Sequence, residues 1–120
     1  MPKGKMFKVD EKLQHVVDPP KHKQTNSFPL ISPKSCPGAQ CEFHVTEIRA
    51  GGVAEDDVHP EEDHAFFCIS GRALAKVDGE EFLMAPGCAL WVPKKAVHSF
   101  KVLGGETFRI GVVFAPARKM

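Results

Sequence analysis

GVAEDDVHPEEDHAFFCISG, residues 52–71, and GCALWVPKKAVH, residues 87–98, decide how this chain is read. The first places His59, Glu61 and His64 within six residues, and the second delivers His98 after an apolar run and a proline. Three imidazoles and a carboxylate are the donor set that a mid-row divalent metal prefers. A helical zinc-protease motif is excluded, because the two histidines are five apart and Pro60 breaks the helix that would align them. On a strand, side chains alternate, so His59 and Glu61 share one side. A short loop at Glu62–Asp63 that resets the register turns His64, Phe66 and Cys68 into the same interior. His98, Phe100 and Val102 join them from a later strand. The competing reading is a solvated acidic loop carrying Asp56, Asp57, Glu61, Glu62 and Asp63, with histidines that are loop residues only.

Outward from these stretches the chain reads as short strands. CEFHVTEIRA alternates, with Phe43, Val45, Glu47 and Arg49 on one side and His44, Thr46 and Ile48 on the other, and Gly51-Gly52 is expected to end it. AFFCISG is a strand up to Gly71. RALAKVDGEEFLM is a hairpin closed by Asp78-Gly79, two positions that tolerate positive φ. CALWVP follows a Pro86-Gly87 turn, and VHSFKVL and TFRIGVVF are expected to form a last hairpin across Gly104-Gly105. Seven or eight strands without a helix imply a sandwich or barrel. SFPLISPKSCP, with three prolines, is a loop or edge strand. Residues 1–27, Lys- and Pro-rich, read as an arm over the barrel or a neighbouring subunit, with LQHVV a short strand or helical turn; residues 28–120 are the barrel domain.

The chain has 120 residues, 42% hydrophobic and 26% charged, with a formal charge of +1. That suits one globular domain and provides no field for nucleic acid. No apolar run approaches the roughly 18 residues that span a bilayer, and the N-terminus lacks the apolar core of a signal peptide, so the expected location is cytoplasmic. Cys68 and Cys88 lie in apolar runs, while Cys36 and Cys41, in CPGAQC, are expected to be reduced thiols in a loop rather than a pair. No nucleophile–base triad, P-loop or dinucleotide fingerprint is present.

The two leading stretches resemble the motifs of the cupins, small double-stranded β-helix (jelly-roll-like) barrels. The first family motif runs Gly, five residues, His-x-His, three or four residues, Glu, six residues, Gly. Here Gly52 is followed by six residues, His59-Pro60-Glu61, two residues, His64, six residues and Gly71. The second runs Gly, five residues, Pro-x-Gly, two residues, His, three residues, Asn. Here Gly87 is followed by five residues, Pro93-Lys94-Lys95, two residues, His98, three residues and Val102. The fifteen residues between Gly71 and Gly87 match the short spacer of compact cupins.

The resemblance covers residues 42–115 or so and implies an all-β cupin barrel with an N-terminal arm. It implies that His59 and His98 take the first and last metal-histidine positions. Glu61 stands where a histidine is usual and His64 where the glutamate is usual; the short spacer leaves Glu62 as an alternative to Glu61. The ion expected is iron, manganese, nickel or zinc. Phe66, Cys68 and Phe100 are candidates for the substrate wall, with Leu90, Val102 and Trp91 beside them. Arg49 and Arg109 clamp a substrate carboxylate if they face inward and only solubilise if they face outward. The expected function is a metal-dependent enzyme on a small organic acid or carbonyl compound, of lyase, isomerase or dioxygenase type. The alternative is a non-catalytic small-molecule-binding or metal-binding barrel. Small cupins pair, so a homodimer is expected, through edge strands, the arm and SFPLI.

Overall fold

The computed structural model describes residues 22–118, and the LQHVV segment and most of the expected arm lie outside them. Eight strands follow in order: β1 (His22–Ile31), β2 (Glu42–Val58), β3 (Asp63–Ser70), β4 (Arg72–Val77), β5 (Glu80–Met84), β6 (Ala89–Val92), β7 (Val97–Leu103) and β8 (Phe108–Ala115). All paired strands are antiparallel, in the order β5-β4-β7-β2-β8-β3-β6, with β1 along β2. No helix occurs among the described residues, and none long and apolar enough to cross a membrane. SFPLI belongs to β1, a full strand that runs across the boundary drawn at residue 27.

The glycine pair expected to end the second strand bends it instead. Residues 42–48 pair with β8, and residues 53–58 with β7, so β2 passes from one sheet to the other at Gly51-Gly52. Gly51 has φ +80°, and a Cβ on Gly52 would lie 2.7 Å from the Lys23 carbonyl oxygen, so the corner needs residues without side chains. The hairpin expected across Gly104-Gly105 is also corrected: β7 pairs with β2 and β4, and β8 with β2 and β3. That connection crosses between sheets. The Asp78-Gly79 hairpin forms as expected, Val77 opposite Glu80, with φ 47° and 86° at the turn.

Alternation sorts the interior into layers. His64 lies opposite Phe114, Phe66 opposite Val112, and Cys68 opposite Ile110. On the facing sheet His98, Phe100 and Val102 stack down β7 against Val77, Ala75 and Ala73. The bottom layers are filled by Phe108, Ile110, Cys68 and Met84, whereas Val92 lies opposite His64 near the mouth. Phe66 and Phe100 meet edge to face across the sheets, centroids 4.9 Å apart, and form the floor of what lies above.

Candidate metal centre

Above that floor is a cavity of about 340 Å³ between the sheets. Three imidazoles enter it from three elements. His59 is on the turn after β2, His64 opens the inward face of β3, and His98 is on β7. The turn carrying His59 is tied to the β6–β7 turn: the Lys95 N–H donates to the His59 carbonyl at 2.8 Å, and the Lys94 N–H to Asp63 Oδ1 at 2.8 Å. Lys95 adopts φ 73° where the family pattern has glycine. These bonds hold two separate segments at the mouth of the barrel, and with them His59 and His98.

One ring nitrogen from each histidine lies within 4.8 Å of the others. The centroids of His59 and His64 are 4.2 Å apart, and those of His64 and His98 5.2 Å. Both nitrogens of His64 are buried with no hydrogen-bond partner among the described residues. A neutral imidazole buried in that way is costly unless something accepts its lone pair. Burial, then the neighbouring His59 and His98, hold the His64 pKa down to about 3, so the ring is neutral and its lone pair available at physiological pH. The donor set therefore fits a divalent transition metal.

The expected carboxylate does not lie in this group. Glu61 is exposed on the turn, whereas Glu62 is buried with Oε1 3.8 Å from His59 Nδ1. Asp57 Oδ2 lies 3.5 Å from His59 Nε2, so His59 is held between two carboxylates. A loop of four residues between β2 and β3 resets the alternation and turns Glu62, rather than Glu61, inward.

Of the residues expected to bind substrate, Phe66 and Phe100 line the cavity. Cys68 lies a layer deeper in the closed core, its thiol donating to the Gly71 carbonyl, and burial pushes its pKa up. Arg49 is exposed, and Arg109 is on the outward face of β8, its Nε donating to Glu47 Oε2 at 3.2 Å. Trp91 is outward and 64% exposed, because it stands one position off the inward Leu90 and Val92. Cys36, Cys41, Cys68 and Cys88 are free thiols.

The opposite wall carries a second polar group. Glu42 is buried and accepts from the Arg118 N–H (2.7 Å), Arg118 Nε (3.0 Å), Arg118 Nη2 (2.9 Å) and His44 Nε2 (3.0 Å). Burial raises the Glu42 pKa, but the Arg118 and His44 hydrogen bonds outweigh it and bring it to about 2. Burial, the largest influence, lowers the His44 pKa despite the carboxylate beside it. An ionised carboxylate only accepts, so the shared proton sits on His44 Nε2 and Nδ1 keeps a lone pair. The Arg118 guanidinium lies 4.0 Å over the Phe114 ring. Glu42, His44 and Thr46 form a polar run on an inward-facing strand, a signal readable in the sequence. Arg118, beyond the last strand, carries no such pattern.

Comparison with known proteins agrees with this architecture. The family model for the Cupin domain matches residues 44–114. A quercetin 2,3-dioxygenase of Bacillus subtilis (strain 168) is 33% identical over 58 residues, 48% of this chain. The matched stretch spans only 17% of that enzyme's length. Among solved structures, KdgF from Halomonas sp. superposes with TM-score 0.79 at 16% identity, covering 96% of this chain and 97% of that one. The polyketide cyclase RemF from Streptomyces resistomycificus gives 0.81 at 23% identity, covering 95% and 81%. These likenesses establish the fold. With eight antiparallel strands and a family match across most of the barrel, the chain belongs to the Cupin domain family.

Proposed function

We propose that the protein is a metal-dependent cupin enzyme acting on a small organic acid or carbonyl compound, with His59, His64 and His98 as its metal ligands. The observation that carries this reading is the convergence of three imidazoles, one with both nitrogens buried and unpartnered, over an aromatic floor. Two carboxylates flank His59, Asp57 at 3.5 Å and Glu62 at 3.8 Å, and Asp57 also lines the cavity; these are the groups to hand as a further ligand or as a charge balance. A divalent metal held there supplies Lewis-acid polarisation of a bound oxygen, or oxygen chemistry if it is iron.

The chain's own residues supply the rest. Phe66, Phe100, Val112 and Phe114 give the cavity an apolar side against which a ligand's hydrocarbon part can pack, facing the polar groups of the other wall. His44, oriented by Glu42, offers Nδ1 as an acceptor for a substrate hydroxyl or a transferable proton. Arg118, at the rim, adds a positive charge suited to an organic acid. A lyase, isomerase or dioxygenase reaction is compatible with these parts. Quercetin 2,3-dioxygenase activity in the partial relative favours testing oxygen consumption first.

The test is elemental analysis of untagged protein, with His59→Ala and His98→Ala alongside, followed by oxygen uptake and turnover of a panel of small organic acids. Near-stoichiometric iron, manganese, nickel or zinc, lost in both variants with any turnover, is the expected result. A wild-type protein that neither retains nor takes up such a metal would overturn the reading and leave a metal-free binding barrel.

A further inference from the structure

Cys68 and Cys88 face each other across β3 and β6 on the inner side of the barrel. The register of these strands sets His64 opposite Val92, Phe66 opposite Leu90 and Phe67 opposite Ala89, and one step further it brings Cys68 opposite Cys88. The backbone closes that step: the Cys68 N–H donates to the Cys88 carbonyl at 2.9 Å. The return bond comes from the Gly87 N–H to the Cys68 carbonyl at 3.0 Å, while the Cys88 N–H turns back to the Ala85 carbonyl at 3.0 Å. With Gly87 at φ +90°, the Pro86-Gly87 turn runs into a one-residue bulge that ends on a hydrogen-bonded cysteine pair.

Residues opposite each other in an antiparallel ladder turn their side chains to the same face, with Cα atoms about 5.5 Å apart when they are hydrogen-bonded. That separation is also the commonest one for a disulfide. Cys68 follows His64 and Phe66 on the inward face of β3, and Cys88 precedes Leu90 and Val92 on that of β6 and packs against the core. Taken singly, each would be a small apolar side chain; their facing placement gives them chemistry. The two thiols differ in access. Cys68 is fully buried, its thiol donating to the Gly71 carbonyl, and burial followed by the neighbouring Cys88 pushes its pKa up. Cys88 is half-buried, so an oxidant arriving from solvent reaches it first.

We propose that Cys68 and Cys88 are a hydroperoxide-sensitive dithiol, which closes to a disulfide and fastens β6 to β3. The Cys88 sulfur attacks one oxygen of the hydroperoxide and the O–O bond breaks. Cys88 becomes a sulfenic acid, and its proton ends on the departing oxygen as water or an alcohol. The Cys68 sulfur, rotated away from the Gly71 carbonyl, then attacks the sulfenic sulfur. The S–O bond breaks, and the hydroxide takes the Cys68 proton and leaves as water. Two thiols thus lose two electrons in all, and one hydroperoxide gains them. The consequence lies in β6. This four-residue strand ends the sheet order and, among the described strands, pairs with β3 alone. The turn after it supplies the Lys94 and Lys95 N–H groups that bond Asp63 and His59. A bond at Cys88 therefore pins the start of the segment whose end shapes the mouth. The inference does not depend on the metal centre.

Full-length protein would be treated with hydrogen peroxide in modest excess, alkylated, digested and mapped by mass spectrometry. The expected result is a cross-linked peptide joining Cys68 to Cys88, lighter than the two free peptides by two hydrogen atoms and separated again by dithiothreitol. The bond closes a loop of about 20 residues, so the oxidised form is expected to melt higher by on the order of 10 °C. Cys88→Ser, checked for a native melting transition, is expected to keep Cys68 reduced under the same treatment, and Cys41→Ser to cross-link as the wild type does. A Cys68 and Cys88 that both stay reduced, or a Cys88 carried on to sulfinic acid with Cys68 untouched, would overturn the proposal. So would a bond that maps to Cys36 or Cys41 instead. A Cys68–Cys88 bond whose oxidised form melts no higher than the reduced one would overturn it as well, because such a bond would form only by distorting the pair.

Discussion

Replacing Glu42 by Gln preserves the shape of a buried side chain and removes the charge that Arg118 and His44 converge on. The folded carboxyl titrates near 2, against an ordinary value of 4.5. At about 1.36 kcal/mol per pH unit, the difference sets an upper limit of roughly 3 kcal/mol. Arg118 is 42% exposed, so water screens part of its attraction, and about 2 kcal/mol is the expected contribution. The sign follows from proton binding. Between about pH 4.5 and 2 the unfolded chain holds the proton that the folded chain has released. The stabilisation is therefore fully present above 4.5, declines as the pH falls, and disappears below about 2. Urea denaturation of wild type and Glu42→Gln from about pH 7 to about pH 3 measures it. The wild type should lead by about 2 kcal/mol at neutral pH, equivalent to roughly 10 °C in melting temperature, and the gap should narrow steadily on acidification. A gap that is absent at pH 7, or constant across the range, would refute the assignment of an ionised Glu42 clamped by Arg118.

Two further substitutions probe the mouth of the barrel. His64→Leu fills similar space without two unpartnered polar atoms, so the metal-stripped protein should gain about 2 kcal/mol in chemical denaturation while losing its metal; a less stable apo-variant would contradict the account of His64. Lys95 occupies φ 73°, a conformation costly for any side chain, so Lys95→Gly should raise stability by roughly 0.5–1 kcal/mol in a thermal melt. Destabilisation there would mean that the lysine side chain contributes more than its backbone strain costs.

Much of this was readable from the chain because strand alternation is a local property. The inward positions of His64, Phe66 and His98 followed from counting by twos from the turns. The Asp78-Gly79 hairpin followed from turn chemistry at two residues. What was not readable is where a strand goes after a turn. Gly51-Gly52 has the appearance of a terminator, and Gly104-Gly105 that of a hairpin. Whether a glycine pair reverses the chain or sends it on to another sheet depends on long-range pairing, which local composition does not encode. The same limit explains Glu61 and Glu62. One residue more or less in a loop moves every following side chain to the other face, and HPEED contains no marker of where the strand stops. Arg118 was missed because it lies outside any strand, and its role comes from Glu42, 76 positions earlier.

The corner in β2 has a mechanical consequence. His64 belongs to the sheet built on the first half of that strand, and His98 to the sheet built on the second. One continuous backbone thus joins the two sheets that carry the histidines. The two histidines are linked three ways: through the glycine corner, through the packed floor, and through the Lys94–Asp63 and Lys95–His59 hydrogen bonds at the mouth. Because a side chain at Gly52 would meet the Lys23 carbonyl, the angle between the histidine-bearing sheets is fixed in part at a corner remote from the rings themselves.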